Sequence, residues 1–248
     1  MHTSVAFSEV VGVNAGWDNI NAVPDQHVKT QAEFIYIGDF NRIVGTKAFV
    51  GTSDWCRLQS PSLRAINPEH ITHLEAVAVQ AGYVDRAFHP EKNIPLIQNE
   101  ALECEIFNNP GVVVETVIVQ LAQGGITPVS GDIRKVYFHC TPVLAASVWA
   151  FSEIVIPDGL PVGQYSVVGC RLNSATSIAF RFVPVGGMHR PGGLCVPSEL
   201  FDDPYNQHEG RFGEWFTFST VQLPGIEVID SAATGATQLH GWLDLMKK

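Results

Sequence analysis

From residue 177 to 183 the chain alternates without interruption. Ile178, Phe180 and Phe182 fall on one side, and Ala179, Arg181 and Val183 on the other. A period of two belongs to an extended strand whose faces meet different surroundings. The preceding run, 165–172, is mostly apolar, broken by Ser166, Gly169 and Arg171, and has the length of a strand. Turn residues bracket the pair: Pro157, Asp158, Gly159, Pro161 and Gly163 before it, and Pro184, Gly186, Gly187, Pro191, Gly192 and Gly193 after it. Asn173 and Ser174 between the runs predict a tight reversal, and so a hairpin. No nucleophile, metal cluster or phosphate loop lies in this stretch, which reads as scaffold.

The same grammar covers the rest of the chain. Its 22 glycines and 15 prolines are spread throughout rather than gathered in one linker. Short β-rich runs lie between them at 5–13, 32–37, 43–50, 54–58, 74–80, 101–107 and 112–122, then at 135–140, 145–156, 214–220, 226–229 and 237–245. The run 112–122 is strongly β-branched and suits a pleated surface. Residues 59–67 read as a polar loop. Asn67 followed by Pro68 predicts one helical turn, with Asn as cap and Pro at the first position. Residues 81–97 and 197–213 read as long polar connections. The segment 124–131 (GGITPVSG) marks a boundary, with roughly seven strands on each side, close to the eight of a jelly roll. The fold class expected is all-β, as two jelly-roll β-barrels over residues 1–128 and 129–248. A single jelly-roll sandwich with long loops is the alternative.

Several phrases carry a family resemblance. LPVGQYSVVG, SATSIAFRFV and MHRPGG lie in the stretch above. INPEHITHLEAVAVQAG (66–82), ECEIFNNPGVV (103–113) and the tail from Trp215 through SAATGA to LDLMKK complete the set. Together they resemble, in order, the double jelly-roll major capsid proteins of small icosahedral, membrane-containing bacteriophages. The resemblance implies two jelly rolls per chain, a homotrimeric capsomer of pseudo-hexameric outline and an icosahedral lattice. It implies a place in the virion after synthesis in the host cytoplasm. It also implies vertex or minor capsid proteins and an internal viral membrane as partners.

Charge narrows the partners independently. Fifteen basic and 25 acidic residues give a net charge of −10, and the first Lys or Arg is Lys29. Phosphate neutralisation needs a basic stripe or arm, so direct nucleic-acid binding is not expected. Charged residues make up 16%, which suits a surface that buries itself against its own copies. Met1–Val11 lacks a basic start and a long apolar stretch, so a signal peptide is not expected. Cys56, Cys104, Cys140, Cys170 and Cys195 form no C-x-x-C pair, and buried free thiols made in a reducing compartment are expected.

The search for chemistry assigns no catalytic, cofactor-binding or metal residue, and no cofactor. His70 and His73 would share a helix face, with His89 or Glu75 as a third metal ligand, but a solvated or capping pair is the plainer reading. A cupin's His-x-His is missing, as is G-x-S-x-G. Asp202, Asp203, His208 and Glu209 form an acidic loop without the alternation of a calcium site. Arg190, flanked by glycine pairs, is expected to pair with a nearby carboxylate or carbonyl. Trp215, Phe216 and Phe218 read as core. Trp17 and Trp55 are the better candidates for contact with a ligand or another subunit. The function expected is a structural capsid subunit rather than an enzyme. The alternatives are a lectin-like carbohydrate-binding sandwich and, less well supported, a cupin-type metalloenzyme.

Overall fold

The computed structural model describes residues 1–50, 55–66, 70–73, 75–76, 94–107, 111–125, 129, 131–174, 176–187, 189–195, 213–230 and 232–248. It is an all-β protein, 60% strand and 2% helix. The first half holds β1 (His2–Val11), β2 (Trp17–Asn19), β3 (Lys29–Gln31), β4 (Phe34–Tyr36), β5 (Arg42–Val50), β6 (Trp55–Gln59), α1 (Pro61–Ile66), β7 (His70–His73), β8 (Glu75–Ala76), β9 (Ile94–Pro95), β10 (Ala101–Phe107) and β11 (Val113–Ala122). The second holds β12 (Ile133–Cys140), β13 (Val143–Leu144), β14 (Trp149–Val155), β15 (Gln164–Asn173), β16 (Ser177–Val183), β17 (Gly192–Leu194), β18 (Phe216–Ser219), β19 (Gly225–Asp230), β20 (Gly235–Ala236) and β21 (Leu239–Lys247).

Two sheets build the first half. One runs β1-β11-β5-β8, with β9 also on β5; the other runs β3-β4-β10-β6-β7, with β2 also on β10. The second half is one curled path, β17-β16-β19-β14-β12-β21-β15-β18. It folds over at β14, which pairs β19 through residues 149–153 and β12 only at residues 154–155. The result is a sandwich with jelly-roll-like sheets, β17-β16-β19-β14 facing β12-β21-β15-β18. Phe138, Phe180, Phe182, Leu243 and Trp215 lie in its core. Phe7, Ile20, Ile35, Leu102 and Val117 lie in the core of the first half.

β1 and β11 are buried on both faces, and the alternation explains why. Val5, Phe7, Val117, Val119 and Leu121 point into the first core, whereas Ala6 and Ile118 belong to the second. The outer face of this sheet is therefore covered by the other half rather than by water.

Three expectations need correction. The runs 165–172 and 177–183 are strands, but they are not a hairpin. β15 lies between β21 and β18, and β16 between β19 and β17. The Ser174 hydroxyl accepts the amides of Thr176 (3.3 Å) and Ser177 (3.0 Å), and this corner carries the chain across the sandwich. The run 145–156 is interrupted at Ser147, whose φ is 60°. Helix α1 replaces the loop expected at 59–67. The Leu63 amide donates to Ser60 Oγ at 3.2 Å, so Ser60 caps and Pro61 opens the helix. The expected turn at 67–69 lies outside the described residues, as do most of 74–80, 81–97 and 197–213.

Candidate functional site

Packing β16 and β17 against the outer face of β1 and β11 buries a polar seam between the halves. Its centre is Arg181, 2% exposed. Its Nε donates to Glu227 Oε2 at 2.6 Å, and Nη1 donates to Asp25 Oδ2 and, at 3.0 Å, to the Ser4 carbonyl. The guanidinium also lies 4.2 Å from the Trp149 ring centroid. Arg190 is the second cation. Its carbonyl accepts the Ser4 amide at 2.9 Å, its amide donates to Thr3 Oγ1 at 3.1 Å, and its Nε is 4.0 Å from Glu227 Oε2. Gln120 Nε2 spans the seam from Ser4 Oγ (2.6 Å) to the Gly192 carbonyl (3.0 Å), and Ser8 Oγ meets Ser147 Oγ at 2.7 Å.

Two guanidiniums face two carboxylates here, so the fixed charges balance. Burial alone would raise the Asp25 carboxyl. The Arg181 charge, together with amide bonds from His27 and Val28, holds it below its ordinary value. Partial burial, then the Arg190 charge, lowers His27. An Arg190 N–H lies against His27 Nε2, and a guanidinium only donates, so this nitrogen must be an unprotonated acceptor.

Acid should therefore loosen the seam. With the folded His27 pKa lowered, the unfolded chain binds more protons below about pH 6.5, so stability falls as pH drops through that value. Asp25 adds to the loss only below its ordinary value of 3.8. The groups facing His27 are Arg190, Arg181, Asp25 and Glu227. Thermal melts between pH 7.5 and 5 should show a shallower decline in His27→Gln than in the parent chain. Identical slopes would refute the assignment.

The residues singled out in the sequence are scattered. His70–His73 is strand, not the helix on which a shared face was read. His89, Asp202, Asp203, His208 and Glu209 lie outside the described residues. Among the described residues no group of three His, Cys, Asp or Glu converges on a metal position. Arg190 pairs as expected. Trp215 and Phe218 are core, with Trp215 edge-on to His2 at 5.2 Å, and Phe216 is partly buried beside them. Trp17 is half-buried between Phe107 and the Arg57 guanidinium, which lies 4.1 Å from its ring. All five cysteines are free and buried, and burial pushes the Cys140 thiol up to about 12.

Sequence reading missed Arg181, Asp25 and Glu227. The cue was an arginine inside a strand whose other residues after Ser177 are Ile, Ala, Phe and Val. It also missed an exposed cross-strand cluster on β12 and β21. There Tyr137 stacks on His240 at 6.1 Å with its hydroxyl 2.7 Å from Nδ1, and His139 sits opposite His240.

No protein-family model matches the chain, and no curated protein matches it. Among solved structures, a β-porphyranase of glycoside hydrolase family 86 from the human gut bacterium Bacteroides plebeius aligns with 93% of this chain and 39% of that one. The identity is 10% and the TM-score 0.18. The chain thus spans well under half of that enzyme, and a likeness at this level carries no argument.

Proposed function

We propose that this chain is a viral major capsid protein. In this reading it is a double jelly roll, with barrels over 1–128 and 129–248, that assembles as homotrimers of pseudo-hexameric outline into an icosahedral shell. The observation that carries the reading is a repeated strand order. In the second half the faces run β12-β21-β15-β18 and β14-β19-β16-β17. In the first, β1-β11-β5, continued by antiparallel β9 at one end of β5 and by parallel β8 at the other, and, through β2 or β4, β10-β6-β7 follow the same succession. Two barrels side by side, joined by a buried seam, make an elongated rigid block, and three such blocks give six lobes around one axis. Such a subunit works by shape: curled sheets leave few edges, and loops make the lateral contacts. Val162 and Val221, each 90% exposed on adjoining loops, are available for them. The net charge of −10 fits a shell that does not hold the genome directly.

Light scattering of the purified protein, with negative-stain images of the same fractions, tests the proposal. The expected species has three times the 27.0 kDa chain mass and a hexagonal outline, or is a closed shell. A stable monomer at high concentration that forms no particles would overturn it. That result would favour the carbohydrate-binding alternative, for which the exposed Tyr137 and His240, beside the half-buried His139, offer a stacking platform.

A further inference from the structure

The face of the second half away from the seam holds a cavity of about 720 Å³ at the ends of β12, β15 and β21. Its size is that of a small-molecule site. Leu160, Pro161, Tyr165, Leu245 and Met246 supply apolar wall. The Tyr165 hydroxyl is spent on the Pro161 carbonyl at 2.9 Å, so Tyr165 offers the cavity its ring and no free polar group. The rim differs in character. Arg134, Lys135 and Lys247 stand around the mouth with Asp132 as the one carboxylate among the described lining residues. Asp132 is bound by Arg134 at 3.0 Å, and both side chains are 78% exposed. Lys135 reaches Asp244 at 3.7 Å. Lys247 is exposed and makes no ion pair among the described residues.

Asp132 and Asp244 offset two of these three cations, which leaves the charge of Lys247 at the mouth, on a chain of net charge −10. An apolar chamber opening between cations matches one kind of molecule: an apolar tail that ends in an anion. We propose that the cavity binds a single-chain amphiphile with an anionic head, a long-chain carboxylate or a monoalkyl phosphate. The tail lies among Leu160, Tyr165, Leu245 and Met246, and the head meets Lys247 and Arg134. The inference is independent of the capsid reading, because it uses neither the seam nor an assembly contact.

Calorimetric titration of the full chain with dodecyl phosphate, kept below its micelle concentration, is the test. The expected result is saturable binding of one equivalent per chain. Each methylene removed should weaken binding about three- to fourfold, so octyl phosphate should bind on the order of a hundredfold more weakly. Dodecyltrimethylammonium should show no saturable binding. Leu160→Trp, which fills the chamber, and Lys247→Glu should each weaken binding tenfold or more. Arg134→Glu, at a side chain too exposed to support the fold, should weaken it several-fold with an unchanged melting temperature. Any of three outcomes overturns the proposal: no saturable binding, equal binding of the cationic detergent, or affinity unmoved by all three variants. Binding only to vesicles of anionic phospholipid would likewise overturn it, in favour of a membrane-surface contact.

Discussion

Replacing Arg181 with alanine should destabilise the protein by about 3–5 kcal/mol, measured by urea unfolding at pH 7. Among the described residues the side chain is, with Arg171, one of the two largest that are fully buried, and its three polar partners come from distant parts of the chain. Asp25 and Glu227 side chains are only 2% and 11% exposed, so removing the guanidinium strands two carboxylates away from water. Arg190 is 4.0 Å from Glu227 and too far to substitute. Lysine at 181 should fall between alanine and arginine, since a point charge satisfies one partner where the planar fork satisfies three. Combining Arg181→Met with Asp25→Asn should cost less than the sum of the two single changes, because the second relieves the charge that the first left unpaired. A loss below about 1 kcal/mol for Arg181→Ala would show that the seam contributes little to holding the halves together.

Gly241→Ala should cost about 3 kcal/mol or more, a large effect for one methyl group. Gly241 lies in β21 between β12 and β15, opposite Phe138 and Leu172. A Cβ there would stand 2.2 Å from the Arg171 carbonyl oxygen and 2.9 Å from the Phe138 ring. The carbonyl is held in the sheet, and Phe138 is fully buried, so neither can yield cheaply. Phe138→Leu in the same chain should recover only part of the loss, because the carbonyl clash remains. Gly12→Ala, at a position with nothing within 4 Å of the added atom, is the control and should stay within about 0.5 kcal/mol of the parent. If the two glycine variants melt alike, the assigned close approach in β21 is wrong.

Much of the strand content was legible. Alternation at 177–183 predicts β16 to the residue, and the β-branched run at 112–122 predicts β11 nearly so. Partners were not legible. Asn173 and Ser174 read as a hairpin turn because local turn chemistry is the same whether the next strand pairs beside the last or crosses to the opposite sheet. The helix at 61–66 was not read, although Ser60-Pro61 carries the same capping signal as Asn67-Pro68.

The site divides in the same way. Arg190 was expected to pair with a carboxylate or carbonyl, and its Nε lies 4.0 Å from Glu227 Oε2. Arg181 was placed on the face opposite Phe180 and Phe182, which is correct, but the alternation does not say that β1 and β11 cover that face.

By itself, then, the sequence determined that this chain is all-β, where most of its strands lie, which side of β16 carries Ile178, Phe180 and Phe182, and that its thiols are buried. These are local properties, fixed by side-chain period, β-branching and turn residues over a few positions. Only the tertiary structure decided which strands are neighbours, that β1 and β11 are covered on both faces, and that Asp25, Arg181, Arg190 and Glu227 form one charge-balanced seam. Those contacts join residues up to 187 apart. They depend on how whole sheets stack, and no local pattern encodes that.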